Sequence, residues 1–230
     1  MVMIVRLTRS QIARLIDHTK LSPQTTPDDI RKLVEEAKKY NFYSVCVNPF
    51  YVPLVKQLVE GSQIKVCTTI GFPLGSTFRE VKAFEAEIAG TEGADEVDMV
   101  INIGAIKAGD QDTVRDDIRA VVDAFRSVKP DGVIKVILET GLLTKEEIVM
   151  GCKLAEEAGA NFVKTCTGFG PRGATVEDVK IMKEAVGDRL GVKAAGGIRT
   201  YEQAIAMIEA GATRIGTSSS VNIVLEAPEG

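Results

Sequence analysis

Two lysines stand inside short apolar runs: Lys164 in Phe162-Val163-Lys164-Thr165 and Lys193 in Val192-Lys193-Ala194-Ala195. An uncompensated ammonium among apolar side chains is costly, so each is expected to face an opening. If the two sit side by side in a partly buried site, burial and the second cation both disfavour the ammonium form. A lysine, ordinarily with a pKa of about 10.4, then becomes an amine that attacks carbonyl carbon near neutral pH. One lysine would be the nucleophile and the other its electrostatic activator. The alternative is that either snorkels to solvent or pairs with a carboxylate. Asp98, in Glu96-Val97-Asp98-Met99-Val100, is the carboxylate at hand. Aspartate is depleted in strands, so here it asks for a partner; it serves proton transfer or simply neutralises Lys193.

A second group of residues suits an anion. Ala195-Gly196-Gly197-Ile198-Arg199-Thr200 lets backbone amides approach a ligand, and Gly216-Thr217-Ser218-Ser219-Ser220 adds hydroxyls at an expected helix start. Such runs bind phosphate through backbone N–H groups, or are merely two small-residue turns. Asn48, Asn102, Glu139 and Thr167 also fall at expected strand ends, with Glu139 read as a brace and Asp17 and Thr19 as either braces or site groups.

The elements that must position these residues alternate regularly. Apolar or β-branched runs occur at 17–21, 43–47, 64–70, 96–101, 133–138, 162–165, 192–195 and 213–216. Between them lie helical periodicities such as Ile30, Leu33, Val34 and Ala37, Val114, Ile118, Val121, Val122 and Phe125, and Val176, Val179, Met182 and Val186. Thr26, Thr144 and Thr175 each precede acidic residues, the pattern of a capped helix start. The segments 92–96, 157–161 and 209–213 place a glycine between helix and strand. Eight strand–helix units imply one α/β domain over residues 1–230, a (β/α)8 barrel of TIM type with a short helix before its first strand. A doubly wound open sheet shares these units, but no GxGxxG follows the first strand. In a barrel, side chains at the carboxyl ends of strands face the mouth, and the last two strand ends commonly hold phosphate.

Composition removes other classes. Hydrophobic residues make up 45% and charged residues 26% of the 230, as in a globular protein. A formal charge of −4 argues against nucleic acid as a partner, and no run is long enough to span a membrane. The start, Met1–Lys20, has a short apolar patch but no basic leader or small-residue cleavage site and reads as a mature cytosolic N-terminus. Four scattered cysteines and a single histidine, His18, speak against a zinc site, a disulfide framework and a Ser-His-Asp triad, and free thiols fit a cytoplasmic location.

Together, Asp17-His18-Thr19, Glu96-Val97-Asp98, Phe162-Val163-Lys164-Thr165-Cys166-Thr167-Gly168, Lys193-Ala194-Ala195-Gly196-Gly197-Ile198-Arg199-Thr200 and Gly216-Thr217-Ser218-Ser219 resemble the deoxyribose-phosphate aldolases, from first strand to last. The resemblance implies a class I aldolase needing no metal or other cofactor, with a small phosphorylated sugar as substrate and a homodimer or homotetramer as assembly. It assigns the Schiff base to Lys164, its activation to Lys193 and the proton relay to Asp98. Asp17, Thr167 and Gly168 would support substrate binding, while Gly196, Gly197, Gly216, Ser218 and Ser219 would line a phosphate pocket. Some members carry a longer C-terminal tail ending in tyrosine; this sequence runs out at Pro228-Glu229-Gly230, so tail-assisted proton transfer is not expected. Cys46 lies near a family thiol position and reads as a packing cysteine with possible aldehyde reactivity. The alternatives are another phosphosugar class I aldolase on the same barrel, a non-catalytic phosphosugar-binding barrel, which would not need both lysines, and a structural assembly barrel, which predicts no imine chemistry.

Overall fold

The computed structural model describes residues 6–229; the apolar start at residues 1–5 and the terminal Gly230 lie outside them. In chain order the elements are α1 (Arg9–Ala13), β1 (Ile16–Lys20), α2 (Pro27–Tyr40), β2 (Ser44–Val47), α3 (Val52–Leu58), β3 (Lys65–Ile70), α4 (Arg79–Thr91), β4 (Glu96–Val100), α5 (Ile103–Ala108), α6 (Gln111–Val128) and β5 (Val133–Ile137). They continue with α7 (Lys145–Glu157), β6 (Phe162–Lys164), α8 (Val176–Val186), β7 (Gly191–Ala195), α9 (Tyr201–Glu209), β8 (Arg214–Thr217) and α10 (Ser220–Glu226). The strands are all parallel and close in sequence order, β8 pairing with β1. This is the expected (β/α)8 barrel, and α1 is the expected helix ahead of it.

The helix signals act where the sequence places them. Thr26, Thr144 and Thr175 each accept from the backbone N–H three residues on, and Asp29, Glu147 and Asp178 return the bond to the cap's own amide. Gly93, Gly159 and Gly211 take φ of 108°, 87° and 113° just past α4, α7 and α9, a conformation cheap only for glycine. The ladders stop one residue earlier than expected on the mouth side at four strands, β1, β4, β5 and β6. Ile101, Leu138 and Thr165 leave the strand after a single further bond, Ile101 N donating to Ile137 O at 3.2 Å, Leu138 N to Lys164 O at 2.9 Å and Thr165 N to Lys193 O at 3.1 Å.

The pleat sorts the side chains. Val45, Val47, Val66, Val97, Met99, Ile134, Val136, Val163, Val192, Ala194 and Ile215 join the helices' apolar faces in the hydrophobic layer outside the barrel. The alternate positions face inward, and in place of the usual branched aliphatics many of them carry charge.

Candidate active site

Lys164 ends β6, and its Cα partner on β7 is Lys193. Asp98 is the middle residue of β4, two below its end, so it lies deeper in the barrel than a strand-end position would put it. Lys164 Nζ donates to Asp98 Oδ2 at 2.7 Å, and Lys193 Nζ donates to the same oxygen at 2.7 Å. The three residues singled out for chemistry therefore meet, although 66 and 95 positions separate the lysines from the aspartate.

Beneath them the ion network continues with residues that the sequence reading passed over. Lys135 on β5 reaches Asp98 Oδ1 at 2.9 Å, Glu96 Oε2 at 2.6 Å and Asp17 Oδ2 at 3.7 Å. Arg214 on β8 reaches Asp17 Oδ1 at 2.8 Å and Glu96 Oε2 at 3.1 Å, and its guanidinium stacks 3.6 Å from the centre of the Tyr43 ring. Lys193 also pairs with Asp17 Oδ2 at 2.5 Å. The Cys67 thiol donates to Asp98 Oδ1 at 3.3 Å. Lys135 in Val133-Ile134-Lys135-Val136-Ile137 carries the signal that drew attention to Lys164 and Lys193, a lysine in an apolar strand, and that signal would have found it. The premise that such a lysine must face the mouth is corrected: Lys135 and Lys193 have no solvent exposure, because carboxylates inside the barrel compensate them.

These contacts fix charge states. Burial pushes the Asp98 carboxyl up, but the neighbouring lysines, Lys135 first and then Lys164 and Lys193, outweigh it and hold Asp98 well below the ordinary range. Burial likewise opposes ionisation of Asp17, and Lys193, Lys135 and Arg214 overcome it. Burial favours neutral Lys193, yet Asp17 and Asp98 raise it above the usual lysine value, so it remains a cation. Lys135 is raised against its burial in the same way, chiefly by Asp98.

Above the network opens a cavity of about 390 Å3 at the carboxyl ends of the strands. Lys164 forms part of its floor, and Thr167, Gly168, Gly196, Gly197, Gly216, Ser218 and Ser219 line it, as the sequence reading expected. Lys20 and Arg199, which it did not single out, add two cations to the lining. Gly196 and Gly197 take consecutive positive φ of 96° and 78°, which only glycine does cheaply. Three bonds hold the walls together: Thr217 Oγ1 donates to Ile198 O at 2.7 Å, Ser219 N to Thr217 Oγ1 at 2.9 Å, and Ala174 N to Gly196 O at 3.0 Å. Ser219 is the N-cap of α10, the helix start expected there.

Asp17 corrects another expectation. It lies outside the cavity lining, fully buried, where it accepts from Ser44 Oγ at 2.7 Å and pairs with Lys193 and Arg214. Strand β1 places its side chain on the inward face but too deep, so it holds Lys193 rather than substrate. Glu139 is the expected brace: it accepts from Thr167 N at 3.1 Å and from the Thr167 hydroxyl, fixing the cavity wall. Asn48 donates to Leu21 O and Asn102 caps α5, so both serve loops. Cys46, wholly buried on β2, packs against Cys67. Ligand atoms of Cys46, Cys67 and Asp98 lie within 4.8 Å of one another. A metal ion there would have to displace lysine ammonium groups from Asp98.

The profile of the DeoC/LacD family aldolase matches residues 12–226. The chain is 58% identical to the deoxyribose-phosphate aldolase of Carboxydothermus hydrogenoformans over 218 residues, 95% of this chain and 96% of that protein. It is 57% identical to that of Thermococcus kodakarensis over 227 residues, 97% of this chain and all of the relative. Among solved structures it resembles a putative deoxyribose-phosphate aldolase of Coccidioides immitis, with a TM-score of 0.90, 42% identity and coverage of 98% and 91% of the two chains. It also resembles the tetrameric deoxyribose phosphate aldolase of Aeropyrum pernix, with a TM-score of 0.89, 36% identity and coverage of 96% and 92%.

Proposed function

This chain belongs to the DeoC/LacD family of aldolases, and we propose that it reversibly cleaves 2-deoxy-D-ribose 5-phosphate to acetaldehyde and D-glyceraldehyde 3-phosphate through an imine on Lys164. The observation that carries this reading is that Lys164 forms part of the floor of a cavity rich in glycine and hydroxyl groups while its neighbours Lys193 and Asp98 lie sealed beneath it.

In this reading the neutral amine of Lys164 adds to the sugar aldehyde, and loss of water leaves an iminium. A base removes the proton of the carbon-3 hydroxyl, the bond between carbons 2 and 3 breaks, and its electron pair passes into the iminium to give an enamine. Glyceraldehyde phosphate leaves, carbon 2 is reprotonated, and water releases acetaldehyde and the amine. Asp98 bridges Lys193 and Lys164 within hydrogen-bond distance of both, so it conducts protons between the two nitrogens and itself holds one only transiently. The phosphate would lie against Gly196, Gly197, Gly216, Ser218 and Ser219, with Lys20 and Arg199 adding positive charge. Thr167 and Gly168 would flank the sugar.

Acetaldehyde with borohydride should leave one reduced adduct, on the peptide containing Lys164, and Lys164→Arg should abolish turnover because a guanidinium is not a usable amine nucleophile. An adduct confined to other lysines overturns the assignment. Four free, buried cysteines suit a cytoplasmic setting. A homo-oligomer, dimer or tetramer, fits the apolar surface formed by α4 and the turn ahead of α3, where Phe84, Ile88 and Phe50 are 63%, 45% and 84% exposed. Light scattering on the purified chain distinguishes the two assemblies.

A further inference from the structure

Across the barrel interior, Asp17 on β1 and Glu96 and Asp98 on β4 are three carboxylates, and Lys135 on β5, Lys193 on β7 and Arg214 on β8 are three cations in direct contact with them. Lys164 would be a fourth cation against the same three carboxylates, and its one contact among them, Asp98 Oδ2, is shared with Lys193. A closed group of buried charges is least costly when it is neutral, since any uncompensated charge bears the full loss of its hydration. The three-to-three set is complete without Lys164.

We propose that Lys135, which lies outside the cavity lining, positions Asp98 and saturates the buried carboxylates, and that this saturation is what leaves Lys164 free to react as a neutral amine. The inference rests on the reading of Lys164 as the imine-forming lysine. Lys135 occupies Asp98 Oδ1 from below while Oδ2 stays turned to Lys164 and Lys193, so one residue sets both the aim and the charge of Asp98. Taking away the Lys135 charge leaves three carboxylates with two cations, and Lys164 becomes the nearest group able to supply the third by keeping its proton.

Other groups near Lys164 leave the count standing. Cys67, on β3, is pushed up by burial and remains a thiol. Cys46, on β2, is drawn down by its hydrogen bond with Cys67, against the effect of burial. Glu139 is held at the mouth by Thr167, and Lys20 and Arg199 stand on the cavity lining rather than in the network. Lys193 cannot replace Lys135, because it is already the partner of Asp17.

The test is the rate of acetaldehyde trapping by borohydride against pH, in the full chain, for wild type, Lys135→Met, Glu96→Gln and the double variant. In Lys135→Met the acid limb should move up by about one pH unit or more, seen as roughly tenfold slower trapping at neutral pH that recovers in alkali. Removing one carboxylate as well restores the balance, so the double variant should return the limb toward its wild-type position. Glu96→Gln alone should move it the other way. A double variant that tracks Lys135→Met, or a limb unmoved by Glu96→Gln, overturns the proposal. If Lys135→Met does not fold, Glu96→Gln decides alone. Absence of any Lys164 adduct in wild type would instead refute the imine reading, a separate outcome.

Discussion

Lys164 and Lys193 face each other across β6 and β7 as direct register partners, and both nitrogens lie 2.7 Å from a single oxygen, Asp98 Oδ2. One carboxylate oxygen cannot fully compensate two ammonium groups at that distance. Lys193, which also holds Asp17 and is raised above the ordinary lysine value against its burial, keeps its charge.

Lys193→Leu should therefore slow imine formation at neutral pH, with partial recovery at alkaline pH. A displacement of two pH units in the profile corresponds to about 2.7 kcal/mol. The change should also lower stability by roughly 3–5 kcal/mol, because Asp17 and Asp98 each lose a buried partner. An unmoved pH profile alongside that destabilisation would assign Lys193 to structure alone.

Gly216 is predicted to matter for chemistry as well as binding. A Cβ there would stand 2.9 Å from Lys193 Cε and 3.0 Å from Ala195 Cβ, closer than such atoms normally come. Gly216→Ala should displace Lys193, cost about 1–3 kcal/mol of stability and lower kcat for phosphorylated and free sugar alike. Denaturant unfolding together with kinetics on both sugars checks this; a KM effect limited to the phosphorylated sugar would contradict it.

Ser218 gives the opposite pattern. It lines the cavity at the exit of β8, away from the ion network, so Ser218→Asp places a carboxylate where a phosphate dianion should sit. Loss of a charge-assisted bond of about 1.5–3 kcal/mol predicts a ten- to hundredfold weaker kcat/KM for 2-deoxyribose 5-phosphate. The free sugar, poor to begin with, should change little. Gly197→Asp should do the same, because space at its Cβ is open to 4.0 Å although its φ of 78° adds strain. Equal losses on both sugars would point to general damage of the mouth.

His18 makes stability depend on pH. Its Nδ1 meets Ser220 Oγ at 2.7 Å and its Nε2 meets Glu36 at 2.9 Å, tying β1 to α10 and α2. Burial lowers its pKa and prevails over Glu36, which pulls upward. The unfolded chain then takes up a proton near pH 6.5 that the folded one refuses. Stability should be full above that pH and fall as the pH drops toward the lower folded value, by about 1.4 kcal/mol for each unit of depression. Thermal unfolding from pH 8 to 5 should show this slope in wild type and not in His18→Gln. Asp17 and Asp98, both depressed, lose their contribution separately, below the ordinary carboxylate pKa of about 3.9.

The alternation of period-two and period-3.6 patterns, the capping threonines and the glycines after helices are local signals, so the sequence alone determined the barrel and the ends of its elements to within a residue or two. It also determined the candidate site's composition: Lys164, Lys193 and Asp98 are each anomalous within their own strands, and the glycine–serine runs follow the last two. Depth was not legible. Whether an inward-facing side chain reaches the mouth or lies a layer below depends on strand stagger around the closed barrel, which put Lys164 on the cavity floor but Asp17, Asp98 and Lys193 beneath it. Nor was compensation legible. The cost of burying Lys135 is decided by Glu96 on the neighbouring strand and Asp17 four strands away, and Arg214 closes the same group from the far end of the chain. A charge in an apolar strand announces that it needs partners; only the closed barrel, by bringing inward residues of six strands within ion-pair reach, decided which partners it found.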